Sequence, residues 1–341
     1  MKKKIFNVVQ YLFFLGLGIF LLWWRYDKLA DVQKQQLFQS LTSARYVLIL
    51  PAMAMLLLSH FSRALRWKLL MAPLGYRPST INCFFAVMIG YLFNLLFPRL
   101  GEVMKCTTLG KYEKLAADKL VGTIIAERAF DFLCLIIVFA ITILIQIDTI
   151  GAYASAKLKS LFHDSEGNFK VRTLLIILGA LLFLILLVRF LYRRHIKSNF
   201  LIRVNAILQS VWAGLTSFRY IKNKALFIGH TVFIWSMYLM SVRVGFYAMD
   251  SVSQLGIKPS FSILTFGSLA MIPTPGGIGT YQATIQELMP LYGIDEVYGY
   301  GYGWLLWIAQ TLIVIVAGFL CLAFLPLINR KHHALPPAHP E

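Results

Sequence analysis

Leu120–Ile147 reads LVGTIIAERAFDFLCLIIVFAITILIQI. It is long enough to cross a bilayer, which takes about 20 apolar residues. Yet Glu127, Arg128 and Asp131 interrupt it within one and a half helical turns. A charge at bilayer depth costs at least about 2.5–3.5 kcal/mol, so three together would not persist facing lipid. They are expected to face a protein interior or a wet cavity. Glu127 and Asp131, four apart, share a helix face, and Arg128, three before Asp131, can reach it. One reading is an internal ion pair that locks helix packing and leaves Glu127 to neutralise or find another base. The other is a headgroup or ion site on a hydrophilic path, which is preferred because intramembrane ionisable groups usually mark pathways.

The rest of the chain agrees with a membrane setting. Of its 341 residues, 58% are hydrophobic and 14% are charged, against about 25% charged in soluble proteins. The net charge of +18 would suggest nucleic acid in a soluble protein. Here it is assigned to the positive-inside rule, and no nucleic-acid partner is expected. Cys83, Cys106, Cys134 and Cys321 are scattered, with no CxxC pair, and the histidines lack HExxH-type spacing. No metal site and no cofactor are expected.

Six runs read as full spans: Ile5–Trp24, Tyr46–Phe61, Leu120–Ile147, Val171–Tyr192, Ala225–Met249 and Trp304–Leu325. The first has no A-x-A-like cleavage site after it and reads as a retained span. Two further runs are broken by Pro and Gly: Asn82–Phe97, ending in Pro98-Arg99-Leu100-Gly101-Glu102, and Phe261–Tyr292, interrupted by Pro273–Gly279 (PTPGGIG). Basic pieces at 1–4, 62–81, 98–119, 193–224 and 326–341 are assigned to the cytoplasm, and the acidic pieces at 25–45, 148–170, 250–260 and 293–303 to the opposite side. This places both termini in the cytoplasm. Basic pieces then flank Asn82–Phe97 on both sides and acidic ones flank Phe261–Tyr292. Both therefore read as re-entrant hairpins, one from each face, in the manner of an inverted repeat. The alternative is that Asn82–Phe97 spans fully, which would put 193–224 outside against the charge rule. The expected fold is all-α and polytopic, with about six spans and two opposed re-entrant hairpins in one membrane domain over 1–330. Residues 199–224 read as an amphipathic helix or an ordinary connector, and the Pro-rich tail 331–341 as disordered.

Several motifs carry candidate chemistry. Pro98 ends a helix, Gly101 permits a tight turn, and Arg99 and Glu102 bring opposite charges to the foot of the first hairpin. Arg99 with Lys105 could hold a phosphate, or the turn is a solvated basic loop. In PTPGGIG, Gly276, Gly277 and Gly279 expose backbone amides before a helical run, an anion-attracting arrangement. The alternative is a kink shaped by Pro273 and Pro275. No GK[ST] follows, so nucleotide binding is unsupported. Arg243 lies near the outer end of its span, where it either snorkels to the surface or meets substrate.

Four motifs in order carry a resemblance: Arg63-Ala-Leu-Arg66-Trp67; Gly90-x-x-x-Asn94-x-x-x-Pro98-Arg99-x-Gly101-Glu102; Glu127-Arg128-x-x-Asp131; and Pro273-x-Pro275-Gly276-Gly277-x-Gly279. Together they resemble the transmembrane region of lysylphosphatidylglycerol synthases, a region that also occurs alone. In the two-domain relatives this region is flippase-like, and a separate soluble domain makes the aminoacylated lipid. This chain departs from that pattern by ending at Glu341, so the relatives' substrate is not carried over. The resemblance implies a bacterial inner-membrane protein, not an enzyme, that moves membrane lipids with anionic or zwitterionic headgroups between leaflets. Arg99, Arg128 and Arg243 would contact phosphate. Glu102, Glu127 and Asp131 would balance them, and Pro98, Gly101 and the PTPGGIG turn would shape the groove. A homo-oligomer is compatible with this reading. The alternatives are a lipid-modifying membrane enzyme and a scaffold.

Overall fold

The computed structural model describes residues 2–97, 100–149 and 218–330. Ten α-helices and no strands occur among them: α1 (Lys2–Asp27), α2 (Asp31–Thr42), α3 (Ile49–Met71), α4 (Thr80–Leu96), α5 (Leu100–Glu113), α6 (Ala117–Ile145), α7 (Lys224–Gly245), α8 (Ile257–Ala270), α9 (Thr280–Leu288) and α10 (Glu296–Ile328). The chain is an all-α integral membrane protein. Tyr46–Leu74, Ala117–Ile145, Lys224–Ala248 and Glu296–Ile328 are each long and apolar enough to cross a bilayer. The expected span Val171–Tyr192, most of the amphipathic stretch 199–224, the tail 331–341, and Pro98 with Arg99 lie outside the described residues.

Local chemistry sets the helix ends. Asn223 and Asp295 cap α7 and α10 by accepting the amides of Leu226 at 3.0 Å and Val297 at 2.9 Å, each satisfying an amide with no partner inside the helix. α4 stops at Leu96, just before Phe97-Pro98, because a residue preceding proline avoids the helical region.

One boundary corrects the sequence reading. The span expected to end at Phe61 continues as α3 to Met71. Arg63 and Arg66, assigned to a cytoplasmic loop, are buried in that helix at 6% and 0% exposure. A hydropathy reading places paired, inward-facing charges in a loop because it cannot register their partners.

α4 and α5 form the first hairpin. At its base Asn82 Nδ2 donates to Glu113 Oε1 at 2.6 Å, and at its tip the Gly101 amide donates to Asn94 Oδ1 at 2.9 Å. Between them the backbones touch at Gly90 and Gly101, where an added Cβ on either would meet the other's carbonyl oxygen. Two glycines are needed for so close an approach. The second limb of this hairpin is therefore α5, which the sequence reading left as loop 98–119. The limb ends at Phe97 and Leu100 lie at the tip of the hairpin, not its foot. The base lies beside the ends of α3 and α10, since Lys68 donates to Thr80 at 2.6 Å and Asn82 pairs with Asn329 at 3.0 Å.

α8 and α9 form the second hairpin, whose ends lie at the far end of α6. Gln146 donates to the Lys258 carbonyl and to Ser262 Oγ, both at 3.0 Å, and Tyr292 donates to Gln146 and Ser262. The two hairpins thus rise from opposite ends of the bundle. Their tips meet, with Leu95 of α4 packed over Gly276. α1 crosses both, its Tyr11 ring 5.2 Å from Phe97 and its Gly18 against Ile278 and Gly279.

The PTPGGIG turn needs its glycines: Gly276, Gly277 and Gly279 have φ of 61°, 73° and 79°, a region that L side chains avoid. Trp307 Nε1 of α10 donates to the Gly276 carbonyl at 2.7 Å. Trp307→Phe keeps an aromatic ring and leaves that carbonyl unpaired, so it is expected to destabilise by about 1–3 kcal/mol. A thermal melt in detergent checks this.

Candidate functional site

Glu127 and Asp131 lie on the inward face of α6, as their spacing requires. Their partners come from other helices. Arg63 Nη1 donates to Glu127 Oε1 at 3.0 Å and to Asp131 Oδ2 at 2.5 Å. Arg66 Nη2 donates to Asp131 Oδ1 at 2.6 Å and stands 3.7 Å from Glu127. Lys105, from the hairpin limb α5, donates to Glu127 Oε2 at 2.7 Å. α7 adds neutral polar groups: Arg63 Nη2 donates to Tyr238 Oη at 3.1 Å and Arg66 Nη1 to Thr231 Oγ1 at 3.2 Å.

Aromatic faces complete the surroundings. The Lys105 ammonium sits 4.1 Å from the Trp67 ring centre and Arg66 sits 5.7 Å from that of Phe227, both within cation–π range. Trp67 is held by donating to Thr123 Oγ1 at 2.7 Å. Glu127 is only 3% exposed, so these charges are almost fully out of water. Desolvation is then repaid only by good geometry and by hydrogen bonds to the remaining polar atoms.

The cluster is asymmetric. Three buried cations, Arg63, Arg66 and Lys105, face two carboxylates, Glu127 and Asp131. The Nε atoms of Arg63 and Arg66 are buried without a hydrogen-bond partner. Beside Arg63 lies a cavity of about 20 Å³, room for about one water. Arg63, Lys105, Glu127, Tyr91 and Asn94 form its wall, together with Glu102 and Arg128. Arg128 Nε donates to Glu102 Oε1 at 3.1 Å, with the two side chains 51% and 38% exposed.

This geometry alters several expectations. Arg128 does not pair with Asp131. It turns outward to Glu102, because Arg63 and Arg66 already occupy Asp131. Lys105, placed by the sequence reading in a loop beside Arg99, is buried on Glu127. Arg243 is not part of the cluster: its Nη2 donates to Tyr247 Oη at 2.9 Å, with the guanidinium over that ring. The PTPGGIG amides are mostly occupied: those of Gly277 and Ile278 donate to the carbonyls of Thr274 and Pro275, and that of Gly279 donates to Gln282 Oε1 at 2.9 Å. The turn is thus a packed kink rather than an open anion cradle. Pro273 is exposed and Pro275 buried within it.

The residues missed as site members are Arg63 and Arg66; Lys105, expected to hold a phosphate beside Arg99, is instead paired with Glu127. A signal for the first two was present: Ser59, Arg63 and Arg66 fall at helical spacing in an apolar run, a polar stripe that implies a buried polar face. Lys105 carried no such signal, since its place depends on how the hairpin folds back.

The family described as Lysylphosphatidylglycerol synthase TM region matches residues 8–318, which include every residue of the cluster. A UPF0104 membrane protein of Methanocaldococcus jannaschii is 22% identical over 296 residues, covering 82% of this chain and 82% of that protein. No solved structure matches.

Proposed function

We propose that this chain, which belongs to the lysylphosphatidylglycerol synthase TM region family, moves lipids or lipid-linked substrates between the leaflets of a bacterial inner membrane. The headgroup passes beside the ion cluster while the acyl chains stay in the bilayer. The observation that carries this reading is the excess of buried cations, three against two carboxylates, next to a polar cavity. One uncompensated positive charge at membrane depth suits a passing phosphate, which Arg and Lys bind with charge-assisted hydrogen bonds. Intramembrane ionisable groups of this kind mark substrate pathways by default.

The cavity holds about one water, so the arrangement described is a closed state. A headgroup needs the first hairpin to swing away from α6. In this reading the hairpin is re-entrant, and the exposed Arg128–Glu102 pair is the contact that parts first. The basic ends of α3 and α5, with Lys68 and Lys111, and Arg330 just beyond α10 then lie on the cytoplasmic side. No chemical step at the substrate is assigned.

A second reading, a scaffold without transport, draws on the completeness of the pairing: Glu127 meets three cations and Asp131 two. A leaflet assay in proteoliposomes with fluorescent anionic and aminoacylated lipids separates the two. Exposed ion pairs contribute about 0–1 kcal/mol, so Arg128→Ala is expected to keep the fold. It is expected to lower lipid flux at least tenfold. Equal flux in the variant, or none in the well-folded parent, would favour the scaffold.

A further inference from the structure

Far from the ion cluster, at the opposite end of α3, lies a much larger cavity of about 710 Å³. Its walls come from α1 (Leu22, Tyr26), α2 (Leu41), the start of α3 (Met53) and α10 (Tyr300, Leu312). We infer that this groove binds one hydrocarbon chain of a bilayer lipid, in the leaflet opposite the ion cluster.

The wall chemistry favours an apolar ligand. Two tyrosine hydroxyls within it are already used: Tyr46 donates to the Leu41 carbonyl at 2.7 Å and Tyr300 to the Leu22 carbonyl at 3.3 Å. The other lining side chains along α2, α3 and the deeper part of α10 are hydrocarbon or thioether. A polar ligand there would lose its hydration with nothing in return, whereas an alkyl chain loses only apolar contact with water or other lipid.

The position and dimensions fit the same occupant. The mouth is flanked by outward-facing Trp23, Leu50, Ile308 and Leu312, between 47% and 60% exposed. Leu50, Ile308 and Leu312 sit on segments long enough to cross a bilayer, so the opening is lateral, toward lipid. From Tyr300 to Leu312, twelve residues of α10 rise about 18 Å. Half of a bilayer's hydrocarbon core is about 15 Å, so the groove is one leaflet deep. Trp23, Tyr26, Tyr46 and Trp304 sit toward one end, where aromatic side chains favour the headgroup boundary. Beyond them exposed Lys28 lies 4.5 Å over the Trp24 ring, placing a cation near the level of a lipid phosphate. On α3 the groove ends at Met53, about 15 Å before Arg63, so the groove and the ion cluster sit at different depths.

Occupancy of the groove does not depend on transport, and its test reads binding alone. The purified protein is reconstituted in phosphatidylglycerol–phosphatidylethanolamine vesicles doped with a phospholipid carrying a photoactivatable diazirine mid-chain. Adducts are then mapped by mass spectrometry. Adducts on Met53 and Ala309 are expected to exceed those on outward Val232 and Phe319 at least fivefold, and to fall when unlabelled lipid is added. Leu50→Trp and Ile308→Trp fill the mouth from exposed positions and remove no buried packing. Each is expected to cut the groove adducts at least fivefold without changing the melt. Uniform labelling over the lipid-facing surface, which would mean an ordinary annular shell, overturns the site. So do groove adducts that both tryptophan variants leave unchanged.

Discussion

Glu127→Gln is expected to be among the most damaging single substitutions in this protein. It leaves Arg63, Arg66 and Lys105 buried against Asp131 alone, and Lys105 loses its carboxylate partner at 2.7 Å. Removing one member of a buried ionic group is strongly destabilising, by about 3–5 kcal/mol. Lys105→Met is expected to cost less, since two arginines and two carboxylates remain and a methionine chain can stay on the Trp67 face. The double variant, Glu127→Gln with Lys105→Met, is expected to recover part of the loss. Thermal melts of the three variants in one detergent provide the cycle. A double variant no better than the sum of the singles would mean that these two charges do not act together.

Gly101→Val is expected to part the first hairpin. A Cβ at this position meets the Gly90 carbonyl and the Asn94 side chain, and the backbone of α4 cannot yield as a flexible side chain would. Overpacking commonly costs about 1–3 kcal/mol and sometimes more. Here it also draws Lys105, one turn further along α5, away from Glu127. Folded yield by size exclusion and lipid flux in proteoliposomes are both expected to fall at least tenfold. Gly122→Ala is the control, because nothing lies within 4 Å of its added Cβ. Equal losses in the two variants would argue against the hairpin contact as the cause.

The membrane fold was legible because hydrocarbon runs of bilayer length have few other uses, and α1, α6, α7 and α10 follow those runs closely. Glu127 and Asp131 were legible for a related reason: charge inside such a run demands a protected face. The re-entrant hairpins were inferred from loop charge and glycine–proline breaks; the structure has two helical hairpins there, but the first pairs α4 with α5, whereas the run Asn82–Phe97 by itself forms one limb. What sequence could not supply was partnership. Arg63 and Arg66 look like loop charges until Glu127 and Asp131 are seen opposite them. Arg128 looks like the natural partner of Asp131 until the arginines of α3 are found there first. Lys105 reaches Glu127 only because α5 folds back along α4, a long-range arrangement set by the Gly90–Gly101 contact rather than by any local pattern. The PTPGGIG motif misled in the other direction. Its amides look available in sequence, yet Thr274, Pro275 and Gln282 take them within the turn.

The proposed transport past the ion cluster requires the first hairpin to move away from α6. Glu102→Cys with Arg128→Cys, in a background with Cys134→Ser, allows a cleavable bifunctional thiol reagent to tie the hairpin tip to α6. Lipid flux is then read in proteoliposomes before linking, after linking and after cleavage of the linker. Arg128→Ala in the same background reports the flux that remains without the ion pair. Flux that survives the paired substitution, stops on linking and returns on cleavage is the expected result. Flux that continues at its unlinked rate through a fully linked protein would contradict passage of the headgroup between the hairpin and α6.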